Sequence, residues 1–304
     1  RPDNERIRQR ELLGHQSGVR ASVVPLKLVR NDTTFFAQDA FRYTPNDEYP
    51  VKVYHNMFLK KSYRDKLLQS IAEIPLRSKR YRYTDLPFML FPSVIGQLTG
   101  TSYEKYLEKE FYAPLGAHLL FNPADKVPLN QIVPTENDEY FRFATVRGYV
   151  HDESAALLGG VSGNAGLFSN AGDLAKICQM LLNGGTYGGR QYLKPETIAE
   201  FIRTQYPQNE NRRGLGFDRP LPGNDTLSME ECYPAACVSP DSYGHSGFTG
   251  TFFWIDPDKQ LIYILLTNRV HPTRNHPAFF DSRIRYTLQQ AIYDAICEDP
   301  KPTL

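Results

Sequence analysis

Two apolar segments near the end of the chain, Thr251–Ile255 and Leu261–Thr267, are separated by Asp256-Pro257-Asp258-Lys259-Gln260. Short runs of β-branched and aromatic residues around a polar, proline-bearing loop read as an antiparallel hairpin. A two-stranded hairpin is at best marginally stable in water, so this one needs further strands and a cover for its apolar face. A helix expected from Asp281 to about Ile296 supplies a cover, with Ile284, Leu288, Ala291, Ile292 and Ala295 on one side.

The rest of the chain reads mainly as helices. Residues 1 to about 55 show no clear period and are expected to be mostly irregular. Leu86, Leu90 and Val94 then recur near helical spacing after Asp85, a candidate N-cap, with Gly100 as the stop and Pro92 as the site of a kink. Thr101 and Glu104 have the spacing of a capping box for a helix carrying Tyr103, Tyr106, Leu107 and Phe111, which Pro114-Leu115-Gly116 ends. A third helix is expected from Ala171 to Leu182. Asn170 is its N-cap, Leu174, Ile177, Cys178, Leu181 and Leu182 form its apolar face, and Gly184-Gly185 follows it. The reading is one domain over 1–304, helix-rich at about 56–200 and holding its strands and last helix at about 214–304. Helices, then strands, then a helix predict an α+β fold, an antiparallel sheet flanked by helices with an added helical region, over a doubly wound parallel sheet.

Composition removes several function classes. Lys+Arg 35 against Asp+Glu 34, with no block of like charge, lacks the basic footprint that phosphate backbones require, so nucleic acid is not an expected partner. The longest strongly apolar stretch, Leu261–Leu266, is far short of the ~20 residues that span a bilayer, and the charged opening Arg1-Pro2-Asp3-Asn4-Glu5-Arg6 is not a signal peptide. Four cysteines are too few for a disulfide framework. Cys232 and Cys237 read as unrelated thiols or a local loop disulfide; a metal site would need a second pair or nearby histidines in register, and neither follows. His271 and His276 likewise lack the carboxylate or thiolate company of a metal site, and no cofactor is implied. Gly160, Gly163 and Gly166 are not followed by the Gly-Lys-Ser/Thr of a phosphate loop, so they are expected to permit tight backbone near a cleft.

Three groups carry candidate chemistry: Tyr83-Thr84-Asp85 before a helix, the run Gly159-Gly160-Val161-Ser162-Gly163-Asn164-Ala165-Gly166, and Gly244-His245-Ser246-Gly247 opening the hairpin region. Alone, each has an ordinary structural explanation as a wall residue, a turn or a polar loop. Their order along the chain adds meaning. With Glu11-Leu12-Leu13-Gly14-His15-Gln16-Ser17-Gly18, Leu98-Thr99-Gly100-Thr101-Ser102-Tyr103-Glu104-Lys105-Tyr106-Leu107, Phe111-Tyr112-Ala113-Pro114-Leu115-Gly116, Ala165-Gly166-Leu167-Phe168-Ser169 and Gly244-His245-Ser246-Gly247-Phe248-Thr249-Gly250, the chain resembles the serine β-lactamase and penicillin-binding family of class C β-lactamases, esterases and D-Ala-D-Ala peptidases. The stretch His151–Gly189, with Thr267–His271, looks most like the C-terminal β-lactamase-like domain of bacterial fusions that begin with a family 3 glycoside hydrolase.

The resemblance implies a β-lactamase/transpeptidase-like fold and acyl transfer through a Ser-x-x-Lys, a Tyr-x-Asn or Ser-x-Asn, and a Lys-Thr-Gly type motif. By that likeness Tyr83 is the general acid/base, His245 stands where many members have lysine, and the Phe248 N–H is half of an oxyanion hole. Asp85, where the family often has asparagine, is placed with Ser246 and Gly247 among the substrate-binding residues. An ordinary histidine has a pKa near ~6.5, so His245 is expected to attract an anionic substrate less than lysine does, and more as pH falls.

The serine motif is the departure. In the family it precedes the Leu-Leu-x-His-x-Ser-Gly segment by several tens of residues, and here that segment stands almost at residue 1. The one literal match, Ser102-Tyr103-Glu104-Lys105, reads as a solvent-facing helix start. The N-terminal part of the fold, with the nucleophile, is therefore expected on a segment outside this chain, and without it the sheet keeps an unpaired edge and an uncovered apolar face. The implied function is a serine hydrolase acting on peptidoglycan-like peptides, esters or β-lactams, in the periplasm or cell envelope. The alternative is a non-catalytic cell-wall-binding or support module attached to a glycoside hydrolase.

Overall fold

Short elements joined by tight turns make up most of the chain, as its 22 prolines and 21 glycines require. The computed structural model describes residues 7–20, 26–30 and 36–297. It divides into two compact units, residues 1–173 with 270–274, and 174–269 with 275–304. The opening hexapeptide Arg1–Arg6 lies outside the described residues.

The first unit begins with α1 (Gln9–Leu13) and α2 (Leu26–Val29), then β1 (Phe41–Arg42), β2 (Val51–Tyr54), β3 (Met57–Leu59) and α3 (Lys61–Ala72). The strands form an antiparallel sheet in the order β1-β3-β2. The expectation of irregular structure to about residue 55 missed this sheet, because strands of two to four residues are too short to show a period of two. Val51 and Val53 still alternate inward along β2 and join Leu59, Leu67, Phe141, Ala155 and Leu157 in the core.

A 3₁₀ turn over Leu86–Leu90 leads into α4 (Phe91–Thr99), which ends at Gly100 with φ +67°. This corrects two expectations. Asp85 precedes the turn but makes no side-chain cap, and Pro92 does not kink a helix, because it sits in the first turn of α4, where its missing N–H has no partner to lose. Next come α5 (Tyr103–Leu107), a π turn over Glu108–Tyr112, and α6 (Ala113–Leu115). The N-cap of α5 is Ser102, without a side-chain bond, so the Thr101–Glu104 capping box is not formed. Thr101 donates its N–H to Thr99 Oγ1 at 3.3 Å instead.

Two small ribbons close the unit: β4 (Leu120–Phe121) pairs with β7 (Leu167–Phe168), and β5 (Asn137–Asp138) with β6 (Ala144–Thr145), with α7 (Glu153–Leu157) between β6 and β7. Their anchor is a buried ion pair. Asp138 Oδ2 accepts Arg142 Nε at 2.8 Å, both side chains being 1% exposed. Asp138 also accepts the N–H groups of Tyr140, Phe141 and Arg142, while Arg142 donates to the carbonyls of Val150 at 2.5 Å and His151 at 2.6 Å. Burial alone would push the Asp138 carboxyl up, but the Arg142 guanidinium and these N–H groups hold it below its ordinary value.

The division between units falls within α8 (Ala171–Leu182), whose cap is as expected: Asn170 Oδ1 accepts the Asp173 N–H at 3.0 Å. The second unit continues with β8 (Thr186–Tyr187), β9 (Arg190–Gln191) and α9 (Pro195–Ile202), then β10 (Tyr243–Ser246), β11 (Phe252–Asp256), β12 (Leu261–Leu265), α10 (Ala278–Asp281) and α11 (Ile284–Cys297). The expected hairpin is β11–β12, paired from Phe252↔Leu265 to Asp256↔Leu261, with β10 added against β11. Asp256 ties its turn by accepting Lys259 N–H at 3.2 Å, and Tyr293 of α11 donates its hydroxyl to the same carboxylate at 2.6 Å. Cys232 and Cys237 are both free thiols.

Helix α11 corrects the sequence reading. It starts at Ile284, not Asp281, because Arg283 has φ +50° and separates it from α10. Its buried residues are Arg285, Gln289 and Tyr293, whereas Leu288 and Ile292 of the expected apolar face are 42% and 37% exposed. Those two line an open groove of about 700 Å³ with Tyr263, Leu265, Ala291 and Ala295.

The Asp138–Arg142 pair makes a stability prediction. Asp138→Ala leaves a buried, uncompensated guanidinium and should destabilise the protein by about 3–5 kcal/mol. Urea unfolding at neutral pH measures this, and a loss under ~1 kcal/mol would place the pair among surface-type interactions.

Candidate active site

The three motif groups are split between the units: Tyr83 and Asp85 with the glycine-rich run in the first, His245 to Phe248 in the second. Tyr83 stands where the segment after residue 80 turns into the 3₁₀ turn, and its ring is 42% exposed. His15 supports it. The two rings stack with centroids 4.5 Å apart, and His15, which has φ +54°, accepts the Thr84 N–H on Nδ1 at 3.3 Å and the Arg82 N–H on its carbonyl at 2.9 Å. An imidazole that accepts on Nδ1 carries its proton on Nε2. His15 thus orders the turn that presents Tyr83.

Asp85 is a hydrogen-bond partner of Tyr83. Burial, then the charge of Asp152, push its carboxyl above the ordinary value, and a hydrogen bond from Tyr83 opposes them. Asp152 caps α7 by accepting the Ala155 N–H at 2.7 Å, and burial raises its carboxyl as well. Asn164 reaches Asp152 at 3.5 Å, and Ser162 donates to Asn164 Oδ1 at 2.6 Å. The glycine-rich run lets this loop approach: a Cβ on Gly163 would lie 2.3 Å from the Phe88 carbonyl oxygen. Asp152, with Ser162 and Asn164 bonded behind it, was not expected beside Asp85, since nothing in the spacing relates residue 85 to residues 152–164. Ser102 and Lys105 are exposed at the start of α5, as the sequence reading had them.

In the second unit His245 and Ser246 end β10, opposite Phe253 and Phe252. His245 Nδ1 faces the Ser246 carbonyl at 2.9 Å and Nε2 faces Arg213 Nη1 at 3.3 Å. A carbonyl only accepts and a guanidinium only donates, so the ring carries its proton on Nδ1 and is neutral. Burial, then the Arg213 charge, hold its pKa below the ordinary histidine value, with Asp218 acting the other way. Arg213 is itself buried and paired with Asp218 at 3.0 Å. The titration expected near ~6.5 therefore moves to lower pH. Arg213 carried no sequence signal as a partner of residue 245. Gly247 sits where a Cβ would be 2.1 Å from Thr251 Oγ1, and Phe248 is 59% exposed on the following loop. Among the described residues no group of three or more histidines, cysteines and acids is placed to hold a metal ion.

The sequence profile of the family described as Beta-lactamase matches residues 1–283. The chain belongs to the beta-lactamase family. A protein named "Putative D-alanyl-D-alanine carboxypeptidase" in Escherichia coli (strain K12) is 36% identical over 236 residues, which are 71% of this chain and 52% of that protein. One of the same name in Salmonella enteritidis PT4 (strain P125109) is 35% identical over 69% of this chain and 51% of its own length. The chain thus spans about half the length of the curated relatives it matches. Among solved structures, a novel penicillin-binding protein homolog from Caulobacter crescentus superposes with a TM-score of 0.54 at 16% identity, covering 88% of this chain and 68% of that one. Simvastatin synthase (LovD) from Aspergillus terreus gives 0.52 at 18%, covering 94% and 67%. The fold of this beta-lactamase family member is accordingly β-lactamase/transpeptidase-like, helices with small antiparallel sheets.

The His245 environment is testable by histidine side-chain NMR. The His245 ring should titrate below ~6.5, and Arg213→Met should raise that value, since it removes a like charge and leaves Asp218 in place. A titration unmoved by Arg213→Met would show that Arg213 does not control the ring's charge.

Proposed function

We propose that this chain is the C-terminal portion of a serine hydrolase of the β-lactamase and penicillin-binding type. It acts by acyl transfer at the cell envelope on peptidoglycan-like peptides, esters or β-lactams, with the nucleophile on sequence outside these 304 residues. The observation that carries the reading is the Tyr83 turn: an exposed phenol seated on His15 and bonded to Asp85, in a member of the beta-lactamase family. Stacking and the bond to Asp85 restrict the ring, which suits a group that must pass a proton at a defined atom. The relatives' name, a D-alanyl-D-alanine carboxypeptidase, supports a peptide substrate of the cell wall.

The roles divide between the units. Tyr83 is the general acid/base and Asp85 a substrate-binding group. Ser246 and Gly247 line the strand end, His245 orders it as a neutral ring, and the Phe248 N–H is the oxyanion donor. The nucleophile's segment also has a place to pack. The groove between β12 and α11 is apolar, and among the described residues β12 is an edge strand of its sheet, so a strand from that segment would pair there and cover Leu288 and Ile292.

A fluorescent penicillin followed by intact-mass measurement tests the placement of the nucleophile. The 304-residue chain should form no adduct, and a stoichiometric adduct on any of its serines, Ser102 included, would overturn it. In the protein extended to the length of its relatives, Tyr83→Phe should lower turnover of an activated ester by about a hundredfold while KM changes little. Equal turnover would remove Tyr83 from the mechanism, and no turnover in either protein would favour a binding or support module.

A further inference from the structure

The loop after β10 is held by two arginines through consecutive carbonyls. Arg285 Nη2 of α11 donates to the Gly247 carbonyl at 2.5 Å, and Arg269 Nε donates to the Phe248 carbonyl at 2.7 Å. The Gly247 N–H is engaged as well, on the Thr251 carbonyl at 2.8 Å. The Gly247–Phe248 peptide is trans, so its N–H points opposite to its C=O. A carbonyl drawn toward α11 sends the Phe248 N–H away from that helix.

Arg285 is an unusual choice for this position. It is 7% exposed, pairs with no carboxylate among the described residues, and its Nε has no hydrogen-bond partner. Its other partners are the Phe279 ring, 5.1 Å away, the Tyr286 hydroxyl through a side-chain hydrogen bond, and nearby Tyr233. Burying an uncompensated guanidinium costs several kcal/mol. A guanidinium buried without a carboxylate and with an unpartnered Nε is unfavourable for packing alone, which points to a task for the charge. A cation on a peptide carbonyl polarises the whole amide, strengthens its N–H as a donor, and adds positive potential where an oxyanion would form.

We propose that Arg285 is the positioning residue of the oxyanion donor: it holds the Gly247 carbonyl so that the Phe248 N–H is aimed and polarised for the developing negative charge. Arg269 performs the same service one peptide later, clamped between the Phe248 and Phe280 rings at 4.4 and 4.3 Å. The proposal rests on reading the Phe248 N–H as the donor.

The test uses this chain labelled with ¹⁵N-phenylalanine, the Phe248 amide being assigned by its loss in Phe248→Tyr. Arg285→Met should shift that resonance, because the carbonyl of the same peptide loses the cation that polarises it. Arg285→Lys, which keeps the charge and one donor, should give an intermediate effect and covers the case in which the methionine variant fails to fold. Gln289→Met, one helical turn along the same buried face, should leave Phe248 unchanged; a shift as large as that of Arg285→Met would mean a merely structural role. In the extended hydrolase, Arg285→Lys should lower kcat about tenfold at nearly constant KM. A Phe248 amide unmoved by both Arg285 variants overturns the positioning role and leaves the donor assignment standing. An amide that moves while kcat does not removes Phe248 as the donor.

Discussion

The first unit depends on one buried ion pair. Asp138 and Arg142 are four residues apart on a loop with almost no regular structure, and together they satisfy three N–H groups and two carbonyls that the loop would otherwise bury without partners. The two carbonyls belong to Val150 and His151, the residues immediately before Asp152. What Arg142 holds is therefore the approach to the α7 cap, and that cap sets the carboxylate acting on Asp85 and, through Asp85, on the Tyr83 hydroxyl. A second knot backs the same segment: Glu136 accepts from His151 at 2.8 Å and from Arg274 at 2.5 Å, and Arg274 also pairs with Glu153 at 2.7 Å. Charges this deep are favourable only when each hydrogen-bonding position is filled, which is why the loop is specified so closely.

The second unit uses cations differently. Arg213 is compensated by Asp218 and adds to burial in holding His245 neutral, whereas Arg285 faces the Gly247 carbonyl, the Phe279 ring and the Tyr286 hydroxyl. A lysine at 245 would face Arg213 directly. The neutral ring, donating to its neighbour's carbonyl and accepting from Arg213, fits a place already supplied with a cation.

Much of this was legible in the residues. The β11–β12 hairpin followed from two apolar runs about a short polar loop, the α8 cap from Asn170, and the family from motifs in a constant order, because each of these is a local pattern. The strands β1 to β3 were missed because they are too short to show a period. The α11 face was misread because counting apolar residues at helical spacing ignores that an arginine can be turned inward by a partner distant in sequence, the Gly247 carbonyl.

By itself the sequence determined the family, the α+β class and the candidate residues Tyr83, Asp85 and His245 to Phe248. These rest on side-chain type, turn chemistry and spacing, which act over a few residues. Tertiary structure decided the state of those residues: His15 stacked under Tyr83, Asp152 raising the Asp85 carboxyl, Arg213 lowering His245, and Arg285 on the Gly247 carbonyl. Each of those partners lies more than thirty positions away along the chain. Electrostatic coupling and desolvation depend on distance in space and on burial, and neither is written in the local order of residues.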